Sequence, residues 1–233
     1  MSETKPLKGI NLPSITSYTA EDLFSFLSIK EDMLVLDVRN EEDFSQFNVE
    51  GPFPFQMKNV PYINFMEEED ESVAKISNEK PVKIVCAKEG SAQYVGEILM
   101  RHGFEDVSYL INGIKSWGNL LLPKRINNES DDYALYQFIR PGKASCNYGL
   151  LYKREMVIFD PSRNIEFYQS FANENDAKIV RIFETHLQAD YISGSKQISN
   201  VTGAEILAHA GDFSASSFQF SQVNDCETYT IDT

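Results

Sequence analysis

Cys86 is the residue of this 233-residue chain whose type and position most clearly allow chemistry. It ends the apolar run 81–86 and stands shortly before the segment 92–102, whose apolar residues recur at helical spacing. A strand that leads into a helix places the thiol beside unpaired N–H groups and the positive end of the helix dipole. Both favour the nucleophilic thiolate, which predicts a cysteine able to carry sulfur as a persulfide. The alternative is a small buried apolar residue at a strand end.

The residues that follow this cysteine form the predicted active loop. They are Ala87, Lys88, Glu89, Gly90 and Ser91. Lys88 either steadies an anionic sulfur species or is a solvated surface charge, and the sequence favours neither. Glu89 brings negative charge close to the thiolate, which would partly offset the helix terminus.

Asp37 and Arg39 end another apolar run, 33–39. They would either support the active loop without touching the reacting sulfur, or pair with each other at the end of a parallel strand. The second interpretation is the simpler one, because charges at strand ends commonly pair.

The elements around these residues predict an α/β domain. The runs 33–39, 81–86 and 107–111 are rich in branched apolar residues, as expected for strands buried on both faces of a parallel sheet. Between them, 92–102 reads as a helix, and a second helix is expected after Thr19, which suits an N-cap. Strands that alternate with helices indicate a mainly parallel sheet.

The segment 123–132 has no core-forming periodicity, so the domain boundary is placed there, with domains at 14–122 and 133–233. Further strands are expected in the second domain. They are predicted at 136–139, 148–152, 156–159 and 179–183.

Bulk properties exclude several classes of function. The formal charge of −14 disfavours nucleic acids and anionic membranes, and the apolar runs are too short to span a bilayer. The N-terminus lacks a secretory signal. Cys86, Cys146 and Cys226 are an odd number without CxxC spacing, which indicates reduced thiols rather than disulfides. A cytoplasmic protein is expected.

Three stretches together resemble a rhodanese domain over roughly residues 14–120. They are 36–39 (Leu-Asp-Val-Arg), Cys86 with its loop, and 109–117 (Tyr-Leu-Ile-Asn-Gly-Ile-Lys-Ser-Trp). The resemblance implies that Cys86 takes sulfane sulfur from a small donor and passes it to an acceptor thiol. The commonest rhodanese loop often carries arginines, whereas the cation here is Lys88 and the last loop residue is Ser91, so thiosulfate is expected to be a poor donor.

The segment 184–194 resembles the metal loop of the metallo-β-lactamase superfamily, whose His-x-His-x-Asp-His motif supplies metal ligands. The corresponding residues here are His186, Gln188, Asp190 and Tyr191. One imidazole and one aspartate do not complete a set of three protein ligands, so no catalytic metal and no other cofactor is expected. His186 is instead expected to be hydrogen-bonded at a strand end, and Asp190 to cap a helix.

The resemblance in the second half is closest to persulfide dioxygenases, supported by 140–152, 159–161 and 208–211. Fusions of such domains with rhodaneses occur in bacterial sulfide detoxification. The implied fold is α/β: a rhodanese-like parallel-sheet domain followed by a partial metallo-β-lactamase-like half-sandwich. The missing half would leave one apolar sheet face uncovered, which predicts a homodimer through the C-terminal half-domains.

Three functions follow in order of preference. The first is a rhodanese-type sulfurtransferase in sulfide or persulfide metabolism. The second is a non-catalytic sulfur carrier or interaction module whose C-terminal half serves as a docking surface. The third, a metal-dependent persulfide dioxygenase or hydrolase, requires ligands that the chain does not supply.

Overall fold

The computed structural model describes residues 15–143, 145–187 and 192–231. The chain divides into two compact units, Met1–Leu120 and Leu121–Thr233, each with its own apolar core. A strand of the second sheet, Leu122–Arg125, lies at the start of the segment 123–132 that the sequence predicts as the linker.

The first unit is built on a five-stranded parallel sheet in the order β1-β5-β4-β2-β3. Its strands are β1 (Thr16–Tyr18), β2 (Leu34–Asp37), β3 (Gln56–Asn59), β4 (Val82–Val85) and β5 (Val107–Leu110). Its helices are α1 (Ala20–Ser28), α2 (Glu41–Gln46), α3 (Tyr62–Glu67), α4 (Glu69–Ala74), α5 (Glu89–Arg101) and α6 (Gly113–Asn119). The prediction of an α/β fold with a parallel sheet is confirmed.

The sequence explains the central strands and the first helix directly. All residues of β2 and β4 are buried, and most of them are branched apolar residues, as expected for central strands of a parallel sheet. Helix α1 begins with a reciprocal capping box, in which the Thr19 hydroxyl accepts from the Asp22 N–H and the Asp22 carboxylate accepts from the Thr19 N–H.

The second unit is built on a seven-stranded mixed sheet in the order β12-β11-β10-β9-β8-β7-β6. Its strands are β6 (Leu122–Arg125), β7 (Tyr133–Arg140), β8 (Ser145–Tyr152), β9 (Glu155–Phe159), β10 (Lys178–Glu184), β11 (Glu205–Ala208) and β12 (Ser221–Gln222). Its helices are α7 (Ile165–Glu174), α8 (Ser195–Thr202) and α9 (Ala210–Phe213). The pairs β6–β7, β7–β8 and β8–β9 are antiparallel. The pairs β9–β10, β10–β11 and β11–β12 are parallel.

The two faces of this sheet differ. On one face, Phe138 packs edge-on against Phe167, Tyr168 and Phe171 of α7, at the centre of the core. The register of the strands places Leu135, Leu150, Phe159 and Phe183 among the side chains of the opposite face. There the Tyr229 ring lies edge-on over Phe183, with the ring centres 5.2 Å apart.

Across the described part of the chain, no helix has the length and apolar character needed to cross a bilayer.

Candidate active site around Cys86

Cys86 lies directly after β4, at the carboxyl edge of the parallel sheet, where α/β proteins place their ligand sites. Its side chain is a free thiol and the residue is 4% exposed. The thiol packs into the core cluster of the first unit, and the Val38 N–H bonds to the carbonyl of the preceding residue, Val85 (2.9 Å). The cysteine therefore has a fixed position at the carboxyl edge of the sheet.

Helix α5 begins at Glu89, three residues before the predicted start, so the predicted active loop is shorter than expected. Ala87 and Lys88 form the connection, while Gly90 and Ser91 already lie in the first helical turn. Lys88 is the N-cap residue and makes no side-chain cap hydrogen bond. The first N–H groups of α5 thus remain available beside Cys86 to stabilise an anion.

A turn between β5 and α6 clamps the backbone of the cysteine. The Ile114 N–H donates to the Cys86 carbonyl (2.8 Å), and Asn112 and Gly113 both have left-handed backbone angles (φ 59° and 60°). A Cβ on Gly113 would lie 2.3 Å from the Cys86 oxygen and 2.9 Å from the Ala87 oxygen. Only glycine fits this approach.

Glu89 ties the start of α5 to the same turn. Its Oε1 accepts a hydrogen bond from the Asn112 N–H at 2.7 Å. From the sequence alone, this carboxylate is expected to be an unfavourable neighbour of the thiolate. The structure gives it a positioning role, which the sequence could signal only through the Asn-Gly turn at 112–113.

The remaining residues of the active loop are accessible to solvent. Ala87, Lys88 and Gly90 are exposed, and Ser91 is half-buried. Nothing lies within 4 Å of a Cβ built on Gly90. As far as the structure describes the chain, no carboxylate pairs with the Lys88 ammonium, so this cation is available to an anionic ligand.

Asp37 and Arg39 pair with each other in the interior. Their charged atoms are 2.6 Å apart and both residues are buried. Arg39 also donates to the carbonyl of Phe47, after α2, and Asn59 donates to the carbonyls of both charged residues (2.9 Å each). The pair thus fixes the segment after β2 to its neighbours at the same sheet edge.

Tyr18 supports the strand that leads to the cysteine. Its hydroxyl donates to the Ile84 carbonyl at 3.1 Å. Burial, together with the negative charge of Asp37, holds the pKa of Tyr18 well above its ordinary value. The phenol therefore remains a neutral hydrogen-bond donor.

The motif of the second unit is only partly within the described residues. His186 is exposed after β10, and its Nδ1 lies 2.9 Å from the Thr185 hydroxyl. Gln188, Asp190 and Tyr191 lie outside the described residues. Within 15–143, 145–187 and 192–231, no three His, Cys, Asp or Glu side chains group as metal ligands would. The expectation of no catalytic metal stays a prediction.

Glu184, at the end of β10, is buried, which the sequence does not predict. Its Oε1 accepts hydrogen bonds from the hydroxyls of Ser193 and Ser195 at the start of α8. Burial is the main cause that raises the pKa of this carboxyl above its ordinary value. The cluster holds the chain after the motif against the sheet.

Comparison with known proteins agrees with this geometry for the first unit. The family described as Rhodanese-like domain matches residues 20–120, which lie in the first unit. A curated relative, the thiosulfate sulfurtransferase GlpE of Coxiella burnetii, is 28% identical over 88 residues, which cover 38% of this chain and 74% of that protein.

Two solved structures are similar to part of the chain. A rhodanese-like domain protein from Staphylococcus aureus has 22% identity and a TM-score of 0.38, and the match covers 45% of this chain and 92% of that one. ETHE1 from Myxococcus xanthus has 17% identity and a TM-score of 0.33, with 48% and 44% covered.

Proposed function

We propose that the first unit is a sulfurtransferase in which Cys86 carries sulfane sulfur as a persulfide. The observation that supports this most is the position of the cysteine, whose backbone is held directly after β4 and which stands three residues before the start of α5, a helix without a side-chain N-cap bond. A rhodanese-like domain and a relative named as a thiosulfate sulfurtransferase support the same class of reaction.

The proposed reaction has two displacement steps. The Cys86 thiolate attacks the outer sulfur of a donor persulfide, a new S–S bond forms, and the donor leaves as a thiolate. With thiosulfate the leaving group is sulfite. An acceptor thiolate then attacks the outer sulfur on Cys86, whose own thiolate is the leaving group. The sulfur atom moves without an added oxidant or reductant, and the N–H groups of α5 stabilise each anion.

Small thiol persulfides are the proposed donors. Thiosulfate is a dianion, and the active loop offers it the one ammonium of Lys88. A single flexible ammonium group binds this dianion less well than the arginines of other rhodanese loops would. We therefore place thiosulfate second.

The function is tested by the steady-state rate at which the protein forms thiocyanate from cyanide and a small thiol persulfide. The Cys86→Ser variant should lose turnover, while Cys146→Ser, which removes an exposed thiol of the second unit, should retain it. Turnover that survives in Cys86→Ser would contradict the proposal. A single stoichiometric transfer without turnover would favour the alternative, a non-catalytic sulfur carrier.

We also propose that the protein acts in the cytoplasm, in sulfide or persulfide metabolism. The three cysteines are free, and a reducing compartment keeps thiols in that state. Fractionation of cells that express the full chain would test this location.

For the second unit we propose a degenerate metallo-β-lactamase-like half that binds no catalytic metal. The proposal rests on the motif in which Gln188 and Tyr191 stand where histidines are expected, and on the exposed position of His186. Elemental analysis of the purified protein for iron and zinc tests it, and one equivalent of either metal would contradict it.

We propose further that two chains pair through the face of the second sheet that α7 does not cover. Leu135, Leu150, Phe159 and Phe183 are only half-buried there, and apolar area of this kind is stabilised by a partner. Light scattering should show a dimer, and a monomer at high protein concentration would contradict the pairing.

A further inference from the structure

Helix α3 presents an apolar surface to solvent. Tyr62, Ile63 and Met66 are 38%, 42% and 57% exposed, whereas Phe65 is fully buried and anchors the helix to the core. Single exposed apolar residues are ordinary, but three on one six-residue helix form a contiguous patch. We call Tyr62, Ile63 and Met66 the α3 surface.

An acidic rim follows this surface along the chain. Residues 67–71 are five successive acidic residues at the end of α3 and the start of α4. Glu69 is bonded by Arg101 and His102 of the neighbouring helix end. For the exposed residues Glu67, Glu68 and Glu71, the described chain supplies no cationic partner, so the rim keeps a strong negative charge.

The α3 surface lies beside the candidate active site. The Tyr62 N–H bonds to the Val38 carbonyl (2.8 Å), and the Val38 N–H bonds to the Val85 carbonyl (2.9 Å), next to Cys86. Since neighbouring strands are spaced by about 4.8 Å, α3 begins about 10 Å from the cysteine, at the same sheet edge. Helix α3 also packs against α5, the helix that follows the cysteine.

We propose that the α3 surface binds a protein that exchanges sulfur with Cys86 and presents its cysteine beside apolar residues within a ring of lysines or arginines. The inference rests on the proposed function. Burial of the three apolar side chains would supply the contact, and the basic ring would pair with residues 67–71. An anionic membrane is repelled by the same acidic rim, and a small thiol is too short to contact both places.

Two synthetic peptides test the charge requirement. Both carry one cysteine beside leucine and phenylalanine, and they differ only in having lysines or glutamates at the flanking positions. Binding is measured by fluorescence anisotropy with forms in which the cysteine is serine, and sulfur transfer is measured with the cysteine forms. The lysine peptide should bind at least about tenfold more tightly at low salt, and the difference should shrink as salt rises.

The apolar requirement is tested with a double variant, Ile63→Ser with Met66→Ser. It should weaken binding of the lysine peptide by about tenfold or more, since loss of buried apolar contact is the dominant cost. Ile29→Ser is the matched control, because Ile29 is 73% exposed and follows α1 rather than α3. Persulfide loading of Cys86 should be unchanged in all of these variants.

The acidic requirement is tested with Glu67→Gln, Glu68→Gln and Glu71→Gln combined. Binding of the lysine peptide should fall toward that of the glutamate peptide, with loss of its salt dependence. Glu79→Gln with Glu105→Gln is the control, because both residues are exposed but precede β4 and β5, at the opposite edge of the sheet from the cysteine.

Equal binding of the two peptides would overturn the proposed surface. So would unchanged binding of the lysine peptide in both the apolar double variant and the acidic triple variant. Failure of the proposed function gives a different result: Cys86 would take up no sulfur from a small thiol persulfide. Binding of the serine peptides does not depend on sulfur chemistry, so the two failures are distinguishable.

Discussion

Replacing Gly113 by alanine should destabilise the first unit and slow the reaction of Cys86. The glycine has φ +60°, and an added Cβ would lie 2.3 Å from the Cys86 carbonyl oxygen, a backbone atom that cannot turn away. A left-handed backbone costs an L-residue about 1–2 kcal/mol, and overpacking costs about 1–3 kcal/mol more. The free energy of unfolding should therefore fall by about 2–5 kcal/mol.

Gly103 supplies the matched control for this substitution. Its φ is +88°, but nothing lies within 4 Å of an added Cβ. Gly103→Ala should therefore carry only the backbone cost of about 1–2 kcal/mol. The difference between the two variants isolates the contact with the Cys86 and Ala87 carbonyls.

Urea unfolding followed by tryptophan fluorescence measures both variants. Trp117 is the one tryptophan of the chain and is fully buried in the first unit, so its emission reports that unit. The rate at which a thiol reagent modifies Cys86 under native conditions is the second readout. If Gly113→Ala is no less stable than Gly103→Ala, the proposed clamp on the cysteine backbone is refuted.

Two further predictions concern buried charge. Arg39→Met leaves the Asp37 carboxylate buried without its partner and should cost about 3–5 kcal/mol of unfolding free energy, measured by Trp117 fluorescence in urea; a loss below 1 kcal/mol would contradict it. Glu184, whose pKa is raised chiefly by burial, stabilises the fold at pH values below its ordinary pKa of 4.5 and loses that contribution as the pH rises through the raised pKa. Relative to Glu184→Gln, the natural protein should therefore become less stable as the pH rises above 4.5 in unfolding followed by circular dichroism, and a difference that is constant with pH would contradict this.

The elements that sequence could predict are those whose own side chains determine them. Strands β2, β4 and β5 follow from branched apolar runs, and α1 follows from its capping box. Strand β3 has the sequence Gln-Met-Lys-Asn and lies at the sheet edge, so its pairing with β2 rather than its pattern defines it. Strand β6 was missed for a similar reason, since an edge position tolerates its Pro123.

In the candidate site, too, some features follow from the local sequence and others only from the fold. Cys86 could be identified from a strand followed by a helix. The contact of Glu89 with Asn112 joins residues 23 apart in sequence, and only the fold brings them together. Helix α5 begins early although Lys88 offers no side-chain cap, because the acidic Glu89 suits the first turn and bonds the neighbouring turn.

The most direct test of the account is the intact mass of the reduced protein after exposure to a small thiol persulfide, measured beside Cys86→Ser. The account predicts that the natural protein gains the mass of one sulfur atom, that cyanide removes it, and that Cys86→Ser gains none. A natural protein that gains no sulfur, or a Cys86→Ser variant that still gains one, would contradict Cys86 as the sulfur-carrying nucleophile.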